Sequence, residues 1–105
     1  MSVPTGPEPE PAERIAALVL GVPGVAGLHG GQFGEVATYL PGRRVSGVTL
    51  TDTACAIHIG VSYPANVVDV AARVRTALAA EVTVPVHVTI EDVEPAEVRT
   101  QEPRT

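Results

Sequence analysis

Two stretches of the chain alternate apolar and polar positions in the way half-buried β-strands do. In residues 54–63 every second side chain is aliphatic, Cys or Tyr, and the side chains between them are small or polar. Residues 84–91 repeat this alternation, and Pro85 near their start is typical of an edge strand. We therefore expect two well-defined strands and several shorter ones. The shorter segments with the same period are residues 25–29, 36–40 and 45–51.

Two other segments carry apolar residues at the three-to-four-residue spacing of an amphipathic helix. The first begins at Pro11, which suits the first turn of a helix, and is stopped by Gly21 and by Pro23-Gly24. The second follows Asn66, whose side chain can cap the backbone at Asp69. Each segment has one apolar stripe, so we expect both helices to pack on one face of the sheet. The stripes are Ile15, Leu18, Val19 and Val22 in the first helix and Val67, Val70, Ala71, Val74 and Leu78 in the second.

These elements predict an α+β fold of two layers. One mixed or antiparallel sheet of four or five strands carries two helices on one face, in the order α-β-(β)-β-β-α-β. We expect a single domain at residues 10–94 between disordered Pro- and Glu-rich tails at 1–9 and 95–105, whose composition buries too little apolar surface to offset the entropy of ordering. The outer face of the sheet, with small residues such as Ala56 and Ser62, would stay uncovered. Such a face invites a second copy or a partner.

Composition and charge exclude several classes of function. The 105 residues suffice for one small domain. Seven basic and twelve acidic residues give a net charge of −5, which disfavours nucleic acid and anionic lipid as partners. All seven basic residues are Arg, so Schiff-base and phosphate-loop lysines are excluded, and the one Cys excludes an intrachain disulfide. Neither a secretion signal nor a membrane-spanning apolar run occurs, so we expect a cytoplasmic protein that does not insert into a membrane.

Three histidines are the candidates for catalysis or metal binding. His29, His58 and His87 would all lie on the outward side of their strands, where three converging imidazoles could hold zinc; otherwise each occupies a half-hydrated sheet position. The acidic residues at 91–94 point to alternate faces and cannot act together on one bond, so we expect them to be solvated. Cys55 lies on the aliphatic side of its strand and is expected to be unreactive. We therefore predict no catalytic residue, no cofactor and no metal site.

The least regular segment, residues 30–44 with the sequence GGQFGEVATYLPGRR, is the candidate partner-binding region. It lacks the ending of a phosphate-binding loop and the spacing of a dinucleotide fingerprint. Its aromatic side chains, Phe33 and Tyr39, either fold back to plug the end of the sheet or form a recognition patch for an acidic or amphipathic partner. The candidate partner-binding residues are Phe33, Tyr39, Leu40, Arg43 and Arg44.

Four short sequences follow one another in an order known from one family. They are VPGVAGL at 22–28, VSGVTL at 45–50, IHIGVSY at 57–63 and VHVTI at 86–90. In this order, and over residues 14–93, the chain resembles the alkaline shock protein family of envelope stress response proteins. The 30–44 segment is similar to that of family members from high-GC bacteria. Two positions depart from the usual pattern: Pro64 stands where a Gly is common, and residues 82–84 replace a Thr-Gly turn.

The resemblance implies a small non-enzymatic α+β domain in the cytoplasm. It implies a scaffold or interaction module that binds further copies of itself and is held near the membrane by a small membrane-anchored protein. The alternative that the residues themselves leave open is a metal- or small-ligand-binding protein that uses the outward-facing histidines. Because Pro64 fixes its own φ near −65°, the start of the second helix is expected to differ from that of the family.

Overall fold

A computed structural model describes residues 10–95 of the chain. The predicted tails at 1–9 and 95–105 lie outside the described residues, except for Pro95. The order of helices and strands confirms the α+β class predicted from the sequence. The elements are α1 (Pro11–Leu20), β1 (Val25–Leu28), β2 (Ala37–Leu40), β3 (Arg43–Ser46), β4 (Val48–Leu50), β5 (Cys55–Tyr63), α2 (Val67–Leu78) and β6 (Val86–Pro95).

The central strand, β5, organises a mixed sheet of four strands. β1 and β4 both pair antiparallel with β5, β1 through Val25 opposite Val61 and β4 through Leu50 opposite Cys55. They therefore lie end to end along one edge of β5. β6 runs parallel to β5 along the other edge and pairs with its whole length. This strand order could not be read from the sequence, because it depends on pairings between distant segments.

The β2 and β3 strands form a separate two-stranded ribbon. They are joined at Pro41 and Gly42, and Gly42 has a φ of 75°, as the third residue of a type II turn requires. The Thr38 hydroxyl donates a hydrogen bond of 2.5 Å to the Val48 carbonyl, which holds the ribbon beside β4. The ribbon therefore lies beside β4, and its Val45 and Leu40 side chains pack with the core.

Both helices pack on the inner face of the sheet and bury an aliphatic core. The inward side chains of β5 meet the buried stripes of α1 and α2, and each large aliphatic side chain contributes about 1.5–3 kcal/mol on full burial. The α2 helix begins as predicted, since the Asn66 side chain accepts a hydrogen bond of 3.1 Å from the Asp69 backbone. The fully buried side chains are Ile15, Val19, Val48, Cys55, Ile57, Ile59, Val61, Val70, Val74 and Leu78.

The predicted helix stripes are confirmed except at their borders. Leu18, which the spacing placed in the core, is 39% exposed, and Val67 is 36% exposed. The buried stripe of α1 is instead centred on Ile15 and Val19, with Ala12 completing it. Leu18 lies at the border of that stripe, on the side that faces away from the sheet.

Gly47 divides the predicted strand at 45–51 into β3 and β4. Its φ is +81°, and a Cβ built there would lie 2.8 Å from the His58 carbonyl oxygen and 2.9 Å from the His29 backbone nitrogen. The His58 backbone N–H donates to the Gly47 carbonyl and the His29 backbone N–H donates to the His58 carbonyl, at 2.9 and 2.8 Å. The chain therefore needs glycine where β1 and β4 meet against β5.

We predict that Gly47→Ala destabilises the fold, because it combines a left-handed backbone with a clash against two other strands. The positive φ alone costs about 1–3 kcal/mol, and the clash adds to that cost. Chemical denaturation would measure it. Gly34→Ala is the matched control for backbone strain, since Gly34 has a φ of +73° but open space around it. Equal losses in both variants would contradict the close packing at Gly47.

The reactivity of the Cys55 thiol tests which face of β5 is packed against the core. Its side chain is fully buried in the core, and burial raises the pKa of the Cys55 thiol. We therefore expect very slow alkylation of the native protein near the ordinary thiol pKa of about 8.5, and rapid alkylation in denaturant. Mass spectrometry over time would follow the reaction. Fast labelling of folded protein would mean that β5 presents its other face to the core.

Candidate interaction surface

The outer face of the main sheet is open to solvent along β6. His87 and Thr89 are exposed there, while Ala56, His58 and Ser62 on β5 are half-buried. In contrast, the inner side chains of β5 are fully buried under the helices. The uncovered outer face expected from the sequence is thus present in residues 10–95.

The three histidines share this outer face but do not form a metal centre. The His29 Nδ1 accepts a hydrogen bond of 3.1 Å from the Gly31 backbone N–H, and the His58 Nδ1 is hydrogen-bonded to a Glu91 oxygen at 2.5 Å. His87 lies on β6 opposite Ala56. Across the described part of the chain, no group of three or more His, Cys, Asp or Glu side chains is arranged to hold a metal ion. Two of the three imidazoles are instead engaged in local hydrogen bonds.

Glu91 is a hydrogen-bond partner of His58 that the sequence did not predict. We expected residues 91–94 to be solvated, yet the Glu91 side chain is only 23% exposed and the His58 side chain 20%. The parallel register between β5 and β6 places Glu91 two residues beyond Thr89, which pairs with His58. Since β5 and β6 are separated by α2 along the chain, only their pairing could reveal this contact.

The aromatic side chains of the 30–44 segment do not plug the sheet. Phe33 is 85% exposed and Tyr39 is 69% exposed. The Glu35 carboxylate accepts a hydrogen bond of 3.0 Å from the Phe33 backbone N–H and so closes the turn that presents Phe33. Tyr39 stands opposite Arg44 across the ribbon, and Arg44 is exposed as well. We refer to Phe33, Tyr39 and Arg44 as the hairpin surface.

The two remaining candidates, Leu40 and Arg43, anchor the ribbon to the domain. Leu40 is half-buried and packs against the hydrophobic core. The Arg43 guanidinium donates two hydrogen bonds to the Glu13 carboxylate of α1, through Nε to one oxygen and through Nη2 to the other at 3.1 Å. These bonds lower the pKa of Glu13 and raise the pKa of Arg43. Leu40 and Arg43 therefore position the hairpin surface and are themselves already engaged.

A second apolar surface, which the sequence reasoning missed, lies between α1 and α2. It is a groove of about 600 Å³, lined by Ala17, Leu18, Pro23, Ala72, Arg73 and Thr76 among others. We refer to it as the helix groove. A signal for it exists in the sequence: residues 15–20 read IAALVL, which gives α1 apolar side chains on more than its buried face.

No helix in residues 10–95 is long and apolar enough to cross a membrane. Comparison of the chain with protein-family models, with curated proteins and with solved structures finds no significant match. A functional proposal for this chain therefore depends on its exposed surfaces and on the order of its sequence segments.

We predict that Glu13→Gln loosens the ribbon without unfolding the domain. The neutral amide removes the charge that holds Arg43, so amide hydrogen exchange in β2 and β3 should accelerate while that of β5 stays unchanged. Because the pKa of Glu13 is lowered in the folded protein, the stabilisation is fully present above the unfolded glutamate pKa. It is lost only as the pH falls through the lowered value.

The matched control for this variant is Glu81→Gln, which breaks the other ion pair of α1, between Arg14 and Glu81 at 2.9 Å. Hydrogen exchange of the ribbon should not respond to that change. An equal acceleration in both variants would mean that the ribbon responds to α1 as a whole and is not held by Arg43.

Proposed function

We propose that this chain is a non-enzymatic interaction module of the alkaline shock protein type. It acts in the envelope stress response as a cytoplasmic scaffold that binds copies of itself and is held at the membrane by a small membrane-anchored partner. The observation that carries the proposal is the exposure of two of the chain's three aromatic residues, Phe33 in the turn before β2 and Tyr39 on the anchored ribbon. The family-like order of sequence segments supports the same conclusion.

The energetics of the hairpin surface favour a contact role. Full burial of a large apolar side chain such as Phe contributes about 1.5–3 kcal/mol before the costs of association are subtracted. Phe33 and Tyr39 do not gain this stabilisation in the folded chain by itself, because both side chains are exposed to solvent. Since Leu40 and Arg43 already hold the ribbon in place, little further ordering is needed when a partner binds. Tyr and Arg are also the residue types enriched at the energetic centres of interfaces.

The metal-binding alternative has no comparable support. His29 and His58 are engaged with Gly31 and Glu91, and the described residues hold no metal-binding group. The helix groove offers apolar shape and few polar groups, which suits packing better than chemistry.

The proposal is tested by photo-crosslinking in cells, with a crosslinking amino acid at position 33 and a control at Asp52, an exposed residue in the connection between β4 and β5. We expect position 33 to crosslink a membrane-anchored protein that position 52 does not reach. We also expect a fraction of the protein molecules to sediment with the membranes. Identical crosslinks at both positions, or a chain wholly absent from the membrane fraction, would contradict the proposal.

A matched pair of variants then assigns the contact. Replacing Tyr39 and Arg44 together by Ala should reduce partner capture by about tenfold or more, because centres of binding energy contribute about 2 kcal/mol or more each. Gln32→Ala changes an exposed residue next to Phe33 and should leave capture unchanged. Thermal unfolding of all variants should stay close to that of the parent, since the replaced side chains are exposed. Undiminished capture by the double variant would remove the ribbon from the proposal.

A further inference from the structure

The layer formed by α1 and α2 presents apolar side chains to solvent on the side away from the sheet. Leu18 in the helix groove is 39% exposed, Val68 one turn before Ala72 is 69% exposed, and Leu20 at the end of α1 is 54% exposed. A helix that packs on one face only is expected to be polar on the other. Clustered exposed aliphatic side chains of this kind mark an interaction surface.

The outward face of α2 is centred on a small residue. With Val70, Val74 and Leu78 buried, the helical spacing places Ala72 opposite them, and Ala72 is exposed. Val68 and Thr76 lie one turn before and one turn after it on the same face. Small side chains at such a position allow another helix to approach closely, to an axial distance near 8 Å. The shape of this face therefore suits a second helix.

The charges of α2 are divided between its two ends. Asp69 lies in the first turn, whereas Arg73 and Arg75 lie in the second half. Asp69 and Arg75 are both exposed, and neither side chain has an ion pair within residues 10–95. Arg73 donates a hydrogen bond of 3.3 Å to the Pro23 carbonyl at the edge of the helix groove. A partner that carries a positive charge opposite Asp69 and a negative charge opposite the arginines would complement this face.

Another copy of α2, placed antiparallel, meets this requirement. It brings its acidic first turn against the basic half of the first copy, and the reverse contact forms at the same time, as a two-fold interface requires. The antiparallel arrangement also opposes the two helix dipoles favourably. The same chain thus supplies the apolar, small and charged positions that its own surface needs.

We propose that the helix layer is the surface through which two copies of this chain associate, with the two α2 helices antiparallel across a two-fold axis near Ala72. The inference deepens the proposed function and rests on its self-association. Glu13, where the ribbon is anchored, lies in the first turn of α1, and Leu18 lies near the other end. The hairpin surface is therefore left available for a different protein while the helix layers are paired.

Exchange of charges across the interface tests the arrangement. Asp69→Arg makes all three charged side chains of α2 positive, and the double variant Arg73→Asp with Arg75→Asp makes all three negative. Each variant alone should raise the dimer dissociation constant by about tenfold or more, and an equimolar mixture of the two should restore association as a heterodimer. Sedimentation velocity at about 0.15 M salt, where the Debye length is about 8 Å and the net charge of −5 is screened, measures this.

Two controls separate a specific effect on the interface from a change in net charge and from a loss of folding. Asp52→Arg changes the net charge by as much as Asp69→Arg does, but in an exposed turn. The Asp52→Arg variant should dimerise like the parent chain. Circular dichroism confirms that each variant is folded, and Arg75→Asp alone replaces the double variant if losing the Arg73 contact with Pro23 unfolds it. Restored association in the mixture is a result that general destabilisation cannot produce.

The possible failures are distinguishable. A parent chain that stays monomeric at millimolar concentration would overturn both this interface and the self-association in the proposed function. A parent chain that dimerises equally well with Asp69→Arg would overturn the helix-layer interface alone. Loss of partner capture in hairpin variants that still dimerise would support separate surfaces for the two contacts. Loss of dimerisation in those variants would place the interface between copies on the ribbon instead.

Discussion

All of the main sheet and both helices depend on the inner face of β5. β1, β4 and β6 all pair with this strand, and the helices bury its Cys55, Ile57, Ile59 and Val61 completely. An alternating strand has only one such face, so the burial of aliphatic side chains on one side leaves the small and polar ones on the other. The two-layer architecture and the open outer face are therefore two results of one alternating pattern.

The close approach of backbones at Gly47 determines the position of the ribbon formed by β2 and β3. There the backbones of β1 and β5 come so near that no side chain fits, and the positive φ turns the chain out of β3 and into β4. The ribbon of β2 and β3 is consequently directed to the edge of the sheet and towards α1. The Glu13–Arg43 ion pair and the packing of Leu40 then hold it there. The Phe33 and Tyr39 side chains remain exposed.

Part of the exposed apolar surface of residues 10–95 lies at two separate places. The hairpin surface carries exposed aromatic side chains and an arginine, and the helix groove carries aliphatic ones between divided charges. A small domain with a purely aliphatic core gains only modest stability from folding. Contacts with other chains at these two surfaces would add to that stability.

Local spacing in the sequence determined the two helices, the Asn66 cap, the turn at Pro41 and Gly42, and which side of β5 is buried, because these features depend on neighbours a few residues apart. Tertiary structure alone decided the strand order, the contact of His58 with Glu91 and the use of Arg43 as an anchor. Each of these features joins segments that are far apart along the chain, and contacts between distant segments produce no periodic pattern in the sequence. The same holds for the helix groove, since α1 and α2 form it only after both have packed on one sheet.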